Sequence, residues 1–499
     1  MTTSNAEAEA VFYYSGLCSS PRLKKPTRPE AYNVLNELRP VFGHKLNTIW
    51  KDLGPKVCDL LDSHGIMWTT IDIVRFIKIK RGEVVGPVVL WIGVALETLT
   101  GECARPSANG CLDLLKEFDI TDVEVAFRES IYMRSAGPSV PSLTLTLQHP
   151  TTCIHSPLTS ALGLSISTQA TPHVEGTGGL YLAEGGDSNK ILLVTARHVL
   201  FPPNEGPNNN YDITNANTPH RNVLLLGIKA LRKLVESIRM EIATIGKRNL
   251  RRIRTVIQNQ GPLDKATEAI GSLKRLLKEI RENWSEPNQR VLGHIIRSPP
   301  ISMGAGTEGF TEDYAVVELD NSKINENFKG NIIDTRMELV EFIGKMVPHT
   351  GSDTVFECRF DRLLQLDGIL SEDVMHSPDT FDRNDEPCLV VVRNGNATGT
   401  TIGRPTGVFS YVREYYTNGT HSTSTEWAIL PYDYKSGDFS LPGDSGAVVA
   451  DCYGRIGGLL TGGAGKIGSF DITYATPFFW RFPRIKENGF PNAYIYPVI

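Results

Sequence analysis

The sequence has no apolar run long enough to cross a membrane, because none reaches the ~20 residues that a membrane-spanning helix needs. Its amino terminus has no basic start followed by an apolar core, so no secretory signal is expected there. A large excess of charge is also absent. The 499 residues carry a net charge of −5, which gives no overall attraction to nucleic acid or to an anionic membrane. These absences predict a cytoplasmic protein without a membrane partner and argue against a nucleic-acid partner.

Cysteine is scarce, and its positions along the chain show no paired spacing. The eight cysteines are Cys18, Cys58, Cys103, Cys111, Cys153, Cys358, Cys388 and Cys452. Cys103 and Cys111 could in principle pair, but a zinc site would need further ligands at regular spacing, and none is present. We therefore expect no metal, no cofactor and no disulfide framework of the secreted type.

The chain has enough length and apolar content for several packed units. Apolar residues make up 40 % and charged residues 21 %, which are ordinary values for a globular protein. The length suggests about three domains. Residues 1–30 are polar, basic and rich in proline, and are expected to be a disordered tail. The three prolines of residues 135–152 indicate a linker, and residues 486–499 are expected to be a C-terminal tail.

Residues 31–135 are predicted to form an α+β domain of unknown role. Apolar residues, including Leu35 and Leu38, have helical spacing over residues 31–63. From residue 66 the pattern changes to the alternation and short apolar runs that are typical of strands. No motif in this part of the chain indicates chemistry.

Three short motifs contain a serine, a histidine and an aspartate. Ser445 lies in the Gly-Asp-Ser-Gly turn of LPGDSGAVV, His198 follows the apolar strand LLVTAR, and Asp313 opens the strand-like DYAVVEL. A hydroxyl is a poor nucleophile at neutral pH unless an imidazole can take its proton. The imidazole in turn needs a carboxylate that fixes its tautomer and stabilises its charged form. The three residue types together predict an activated serine.

Each motif alone has a simpler structural interpretation. The turn at Ser445 could be an ordinary hairpin turn, His198 a hydrogen-bonded core histidine, and Asp313 a cap at a strand end. The conjunction of the three favours the functional interpretation if the fold brings them together. An α/β-hydrolase fold is excluded, because its elbow needs glycine where Ala447 stands and its histidine follows the serine. The last histidine of this chain, His421, precedes the serine.

The order His198, Asp313, Ser445 and the sequences around these residues resemble the chymotrypsin-like (trypsin-fold) serine peptidases over roughly residues 153–485. The resemblance implies an all-β double β-barrel that cleaves peptide bonds in a protein or peptide substrate. It also implies an acyl-enzyme intermediate and an oxyanion hole formed by the amides of Gly443 and Ser445.

The same resemblance assigns three positions to substrate binding. Phe439 lies six residues before the serine, where the family often has the floor of its first specificity pocket. Thr461 and Gly463 match the positions that pair with the substrate backbone. Because position 439 is not acidic, we expect a preference for small or apolar side chains, although Asp438 is adjacent.

Several positions depart from the family pattern. Val199 and Leu441 stand where secreted members have cysteines, so the usual disulfides cannot form. Asp444 corresponds to the aspartate that pairs with a new amino terminus in activated relatives, and no recognisable cleavage motif is present to supply one. Arg197 stands where the family prefers a small residue. The departures at Asp444 and Arg197 keep open an alternative function, a catalytically silent or regulated protease-fold scaffold. Such a scaffold would act in protein–protein interaction through a helical hairpin at residues 221–284 and through the amino-terminal domain.

A long insertion with helical periodicity lies between His198 and Asp313. Apolar residues from Leu224 and again from Leu263 are spaced alternately four and three apart, which predicts an antiparallel helical coiled-coil hairpin over residues 221–284. Residues 221–283 contain 15 Lys or Arg against 6 Asp or Glu. This excess fits either a solvated basic face or a docking arm for an acidic protein partner or nucleic acid. No aromatic residue lies between the basic positions, which argues against base stacking.

Overall fold

The computed structural model describes most of the chain, in ten stretches. They are residues 35–79, 83–134, 159–215, 218–255, 261–324, 328–346, 362–381, 386–416, 418–465 and 472–497. The expected tail at residues 1–30 and the expected linker at residues 135–152 lie outside these stretches. The described chain is mostly β-structure with a few helices, and none of its helices is long and apolar enough to span a membrane.

The strands of the amino-terminal part are β1 (Leu35–Arg39), β2 (Trp68–Ile79), β3 (Glu83–Val94), β4 (Val123–Glu129) and β5 (Ile131–Arg134). The next strands are β6 (Leu164–Thr168), β7 (Gly176–Gly178), β8 (Leu180–Gly185), β9 (Ser188–Thr195), β10 (Tyr211–Asp212), β11 (Asn222–Leu225), β12 (Val291–Ser298), β13 (Ser302–Ala305), β14 (Phe310–Glu312) and β15 (Ala315–Leu319). The remaining strands are β16 (Ile332–Asp334), β17 (Leu363–Gln365), β18 (Val391–Gly395), β19 (Gly399–Pro405), β20 (Ser410–Tyr415), β21 (His421–Pro431), β22 (Val448–Asp451), β23 (Ile456–Gly465) and β24 (Ile472–Pro477). The α-helices are α1 (Lys45–Ser63), α2 (Gly101–Glu117), α3 (Arg197–Leu200), α4 (Ile228–Thr255), α5 (Gly261–Asn283), α6 (Leu339–Met346), α7 (Glu372–His376) and α8 (Phe478–Glu487).

The amino-terminal unit packs two helices on a small sheet. β2 and β3 are antiparallel, and β4 adds to β3 in parallel. α1 buries Leu46, Trp50 and Leu53, whose spacing of four and three places them on one face of the helix. These side chains share an apolar core with Ile71 and Phe127 of the sheet.

The residues Leu35–Arg39 form a strand, although their apolar spacing predicts a helix. β1 pairs antiparallel with β2, so tertiary pairing overrides the local pattern. The helix begins only at Lys45. Pro40 disfavours helical backbone at the residue before it, and Gly43 adopts a positive φ of 67°. His44 then caps α1.

The sheet of the amino-terminal unit continues into the sheet that contains β18 to β24. The strand order is β19-β18-β22-β23-β24-β21-β20-β2-β3-β4, and Thr70 of β2 lies opposite Val412 of β20. A buried polar contact crosses this junction, because the Tyr474 hydroxyl of β24 donates to the Asp72 carboxylate of β2 at 2.9 Å. The two parts are thus joined by strand pairing as well as by the chain.

A second large sheet has the strand order β7-β6-β11-β12-β15-β9-β8, with β10 paired to β12. Its apolar core includes Leu164, Leu193, Val223 and Val317. β9 and β15 are antiparallel neighbours, with Thr195 opposite Ala315. The carboxyl end of β9 therefore lies beside the amino end of β15, which positions the residues just beyond each strand.

The helices α4 and α5 follow β11 in the chain. Residues 222–225, expected to belong to the helical insertion, instead form β11 between β6 and β12, and the helix begins at Ile228. The boundary follows Leu226, which has a positive φ of 61° and turns the chain out of the sheet. The two helices contribute buried side chains to the same core as the second sheet, including Leu234, Ile238, Leu273 and Ile280.

The carboxyl-terminal residues that the sequence suggests are a tail pack against the second sheet up to residue 497. The apolar side chains of Phe490, Ala493 and Ile495 are buried in its core. Removing them from water stabilises this packing. Tyr494 exchanges two backbone hydrogen bonds with Ala183, at 2.9 and 3.1 Å. This part of the chain is packed, not free.

Candidate active site

His198 and Asp313 are in direct contact, and the pairing of β9 with β15 brings together the strand ends that they follow and precede. The His198 Nδ1 lies 2.5 Å from Asp313 Oδ2, and the His198 backbone N–H donates to Asp313 Oδ1 at 3.1 Å. Both side chains are fully buried. A carboxylate at Nδ1 holds the proton on that nitrogen, so Nε2 is the atom left to accept a proton. Nε2 has no hydrogen-bond partner among the described residues.

Ser445 lies in a turn whose two glycines have backbone conformations that L-residues rarely adopt. Gly443 has a φ of 108° and Gly446 a φ of 87°. A Cβ at Gly446 would overlap Thr195 and the carbonyl of Thr177, so the turn approaches the end of β9 as closely as backbone allows. The Thr177 N–H donates to the Ser445 carbonyl at 2.9 Å. This packing places Ser445 in the same buried region as the start of α3.

The Ser445 hydroxyl donates to the backbone carbonyl of Thr461 at 3.4 Å and makes no hydrogen bond to His198. The backbone amides of Gly443 and Ser445 donate no hydrogen bond within the described part of the chain. The structure thus joins His198 to Asp313, and no described residue is hydrogen-bonded to Nε2 or to either amide. Catalytic hydrogen bonds are often long or poorly aligned and tighten only when substrate binds.

Asp444 has a buried cationic partner that sequence reasoning missed. The Arg393 guanidinium lies 2.9 Å from the Asp444 carboxylate, and both side chains are fully buried. The carboxylate also accepts from the N–H groups of Ala397, Thr398 and Leu441 at 2.7, 3.2 and 2.9 Å, and from the Thr398 hydroxyl at 2.9 Å. Burial lowers the pKa of Arg393, and the carboxylate opposes that shift. The sequence offers no obvious partner for Asp444, and the fold supplies Arg393.

Arg197, the residue before His198 in the chain, is buried and makes its side-chain hydrogen bonds to residues other than His198. Its guanidinium donates to the Ser298 carbonyl and hydroxyl, both at 2.9 Å, and to the Asn209 carbonyl at 2.6 Å. It also stacks on the Phe201 ring, 4.3 Å from its centroid. Burial lowers the pKa of Arg197 to about 10. The bulky cation at this position therefore ties strand and loop backbone together.

A second buried arginine contacts the backbone of Asp313. Arg481 of α8 donates to the backbone carbonyl of Asp313, and burial lowers its pKa. Glu426 of β21 is also fully buried and accepts from Thr476 at 3.1 Å and Ser424 at 3.2 Å. Burial raises the pKa of Glu426 to about 7. The sequence signal for Arg481 was its position in FFWRFPRI, where an arginine interrupts an apolar helix face.

The three expected substrate-binding residues lie in different surroundings. Phe439 is almost completely buried in an apolar cluster that includes Met375 and Trp427, so its ring is part of the core. Thr461 and Gly463 lie on β23, and the Thr461 carbonyl accepts from Ser445. The structure brings Thr461 to the serine and places Phe439 in the packed interior.

The described cysteines form no disulfide with one another. They are Cys58, Cys103, Cys111, Cys388 and Cys452, while Cys18, Cys153 and Cys358 lie outside the described residues. Burial raises the pKa of Cys58, Cys111 and Cys452 to about 12. Among the described residues, no group of His, Cys, Asp and Glu side chains could hold a metal ion.

No protein-family model matches the chain, and no curated protein matches it. Solved structures similar to it include a glutamic-acid-specific serine protease, at 12 % identity and a TM-score of 0.29, over 65 % of this chain and 97 % of that one. The active form of the Rv3671c protease from M. tuberculosis has 10 % identity and a TM-score of 0.24, over 70 % and 95 %. An HtrA-type protease with a tripeptide has 11 % identity and a TM-score of 0.25, over 67 % and 62 %. These similarities are low and concern the fold alone.

Proposed function

We propose that this protein is a serine endopeptidase that cleaves peptide bonds through His198, Asp313 and Ser445. The observation that carries the proposal is the buried contact between His198 Nδ1 and Asp313, at 2.5 Å. It leaves Nε2 as an unpartnered base in the region where the Ser445 turn is packed. A carboxylate, an imidazole and a hydroxyl arranged in this way are the groups that acyl transfer requires.

In the proposed reaction the Ser445 hydroxyl turns from the Thr461 carbonyl to His198 and attacks the peptide carbonyl. Nε2 takes the hydroxyl proton and later passes it to the leaving amine, while Asp313 stabilises the imidazolium. The amides of Gly443 and Ser445 bind the developing oxyanion, and one such donor typically contributes about 3 kcal/mol. Water then releases the acyl group from the serine and regenerates the free enzyme.

The finer features expected from the sequence stay part of the proposal. They are a double β-barrel over residues 153–485, a coiled-coil hairpin formed by α4 and α5, and an amino-terminal α+β domain at residues 31–135. An acidic protein partner at the basic hairpin and a cytoplasmic localisation also stay predictions. A preference for small or apolar residues also stays a prediction, because Phe439 is a core residue and lines no described substrate pocket.

A second candidate function, a regulated or silent protease-fold scaffold, is favoured by one observation. Ser445 and His198 are both fully buried, and the serine is hydrogen-bonded to Thr461. A substrate cannot reach the serine in this arrangement unless part of the protein moves. The two functions differ in whether the serine can react at all.

Reaction with a fluorophosphonate probe tests the proposal, because the probe forms a covalent bond only with an activated serine. We expect wild-type protein to be labelled, Ser445→Ala to lose the label, and Ser440→Ala to keep it. Ser440 is a matched control, since it is a nearby, fully buried serine that bonds to Thr473. Label retained in Ser445→Ala would contradict the proposal, and no label on folded wild-type protein would favour the scaffold.

A further inference from the structure

The strand β5 pairs with one edge of β23, next to the candidate nucleophile Ser445. β5 pairs antiparallel with the end of β23, with Met133 opposite Gly463 and Arg134 opposite Gly462. The next residue of β23 toward its amino end is Thr461, whose carbonyl lies 3.4 Å from the Ser445 hydroxyl. A four-residue segment of the amino-terminal unit thus runs along the strand edge that leads to the serine.

A peptide that presents its carbonyl to Ser445 would use this same edge. β24 occupies the other edge of β23, with Leu460 opposite Ala475 and Gly463 opposite Thr473. β22 pairs with the same edge of β23 as β5 does, but only as far as Leu459. An extended peptide binds a strand edge through backbone hydrogen bonds, which β5 already makes.

The amino-terminal unit holds the chain at Ser130, the single residue between β4 and β5. The Ser130 N–H donates to the Val94 carbonyl at 2.9 Å, and the Thr69 hydroxyl donates to the Ser130 carbonyl at 3.0 Å. From Ser130 the chain continues into β5, which pairs with β23. The Tyr132 ring lies 5.9 Å from that of Tyr474, whose hydroxyl is bonded to the unit.

We infer that β5 is an intramolecular inhibitor that occupies the peptide-binding edge of β23. This inference rests on the proposed peptidase function. An extended peptide substrate must displace β5 before its backbone can pair with Gly463. The amino-terminal unit, for which the sequence indicates no role, then sets the fraction of molecules that can accept a peptide. That fraction directly scales the apparent affinity for the peptide.

Two variants test the inference by fixing β5 and by loosening it. Ile131 lies directly opposite Gly465, and opposed residues of antiparallel strands are close enough for a disulfide. In the full-length double variant Ile131→Cys/Gly465→Cys, oxidation should abolish hydrolysis of a casein peptide, and reductant should restore it. Each single variant, oxidised in the same way, should hydrolyse the peptide at the same rate as it does under reductant.

The loosening variant is Tyr132→Gly, with Tyr132→Phe as its matched control. Glycine removes both the ring contact with Tyr474 and the strand preference of an aromatic residue, so peptide hydrolysis should rise by about tenfold. Phenylalanine keeps the ring and should leave the rate as in wild type. If wild-type protein has no measurable hydrolysis, the increase in Tyr132→Gly decides.

Fluorophosphonate labelling separates failure of the inference from failure of the proposed function, because the probe does not need the strand edge. Labelling of Ser445 together with hydrolysis that neither variant changes would overturn the inhibitory role of β5 alone. No labelling and no hydrolysis in any variant would overturn the peptidase proposal, and the inference with it.

Discussion

The guanidinium of Arg393 lies 2.9 Å from the carboxylate of Asp444, directly before Ser445, and neither side chain is exposed to water. Taking two charges out of water is costly, and the cost is offset only when each charge keeps its partner. Arg393 also donates to the Phe439 carbonyl at 3.1 Å, so it links two segments of the loop before the serine. The chain thus supplies its own cation for Asp444.

Removal of Arg393 should strongly destabilise the protein. Arg393→Met leaves the Asp444 carboxylate buried without its cation, which typically costs about 3 to 5 kcal/mol. Lys190→Met is the control, because Lys190 pairs with Glu318 near the surface and such pairs contribute about 0 to 1 kcal/mol. Urea unfolding measures both. Equal losses in the two variants would show that the buried pair has no special role.

The second prediction concerns the three candidate catalytic residues. Ser445→Ala and His198→Ala should each remove nearly all peptide hydrolysis, because the residues act as one unit and their effects do not add. The double variant should retain the same residual rate as either single variant. Rates of the three purified variants against one peptide check this, and clear additivity would contradict the triad. Tyr132→Gly should serve as the parent protein if wild type is too slow to measure.

Stability should depend on pH through Glu426. Burial raises its pKa to about 7 from an ordinary value of 4.5, so the folded protein holds a proton that the unfolded chain releases. The stabilisation is complete below about pH 4.5 and is lost as pH rises to about 7, a change on the order of 3 kcal/mol. Glu426→Gln should flatten this part of the profile, as measured by urea unfolding at pH 5 and pH 8. The exposed Glu341→Gln should not.

The helical insertion should be removable, provided that β11 is kept. Replacing residues 228–283 with a glycine-serine linker keeps β11 between β6 and β12 and should leave a cooperative thermal transition. Replacing residues 221–284 also removes β11 and should abolish that transition. Circular dichroism and calorimetry distinguish the two. Loss of folding in the shorter replacement would mean that Ile238 and Leu273 are indispensable to the core they share with the sheet.

No disulfide should contribute to stability. A native disulfide typically contributes about 2 to 5 kcal/mol, so reductant should leave the melting temperature nearly unchanged. Thiol titration of denatured protein should find all eight cysteines. In native protein, Cys58, Cys111 and Cys452 should react slowly, because burial raises their pKa to about 12 and keeps them protonated. Cys103→Ser should remove one fast-reacting thiol, since Cys103 is exposed.

Local sequence patterns were sufficient to place His198 and Asp313 at the ends of two strands. His198 follows an apolar strand and Asp313 precedes another, and the structure pairs those strands so that the two side chains touch. The glycines around Ser445 indicated a turn, and two of them have positive φ. These features were readable because each depends on a few neighbouring residues. The helical prediction for Leu35–Arg39 was wrong, since pairing with β2 outweighed the apolar spacing.

The candidate residues His198, Asp313 and Ser445 could be chosen from local sequence motifs, whereas the residues that surround them follow only from the folding of the whole chain. Arg393 and Asp444 are 51 residues apart in the sequence. Local sequence does not distinguish an arginine that becomes buried from one that stays exposed. The pairing of β5 with β23 is still harder to predict from the sequence, because its hydrogen bonds are made by backbone groups that nearly every residue has. Long-range strand pairing is fixed by the packing of the whole molecule, and local patterns carry little information about it.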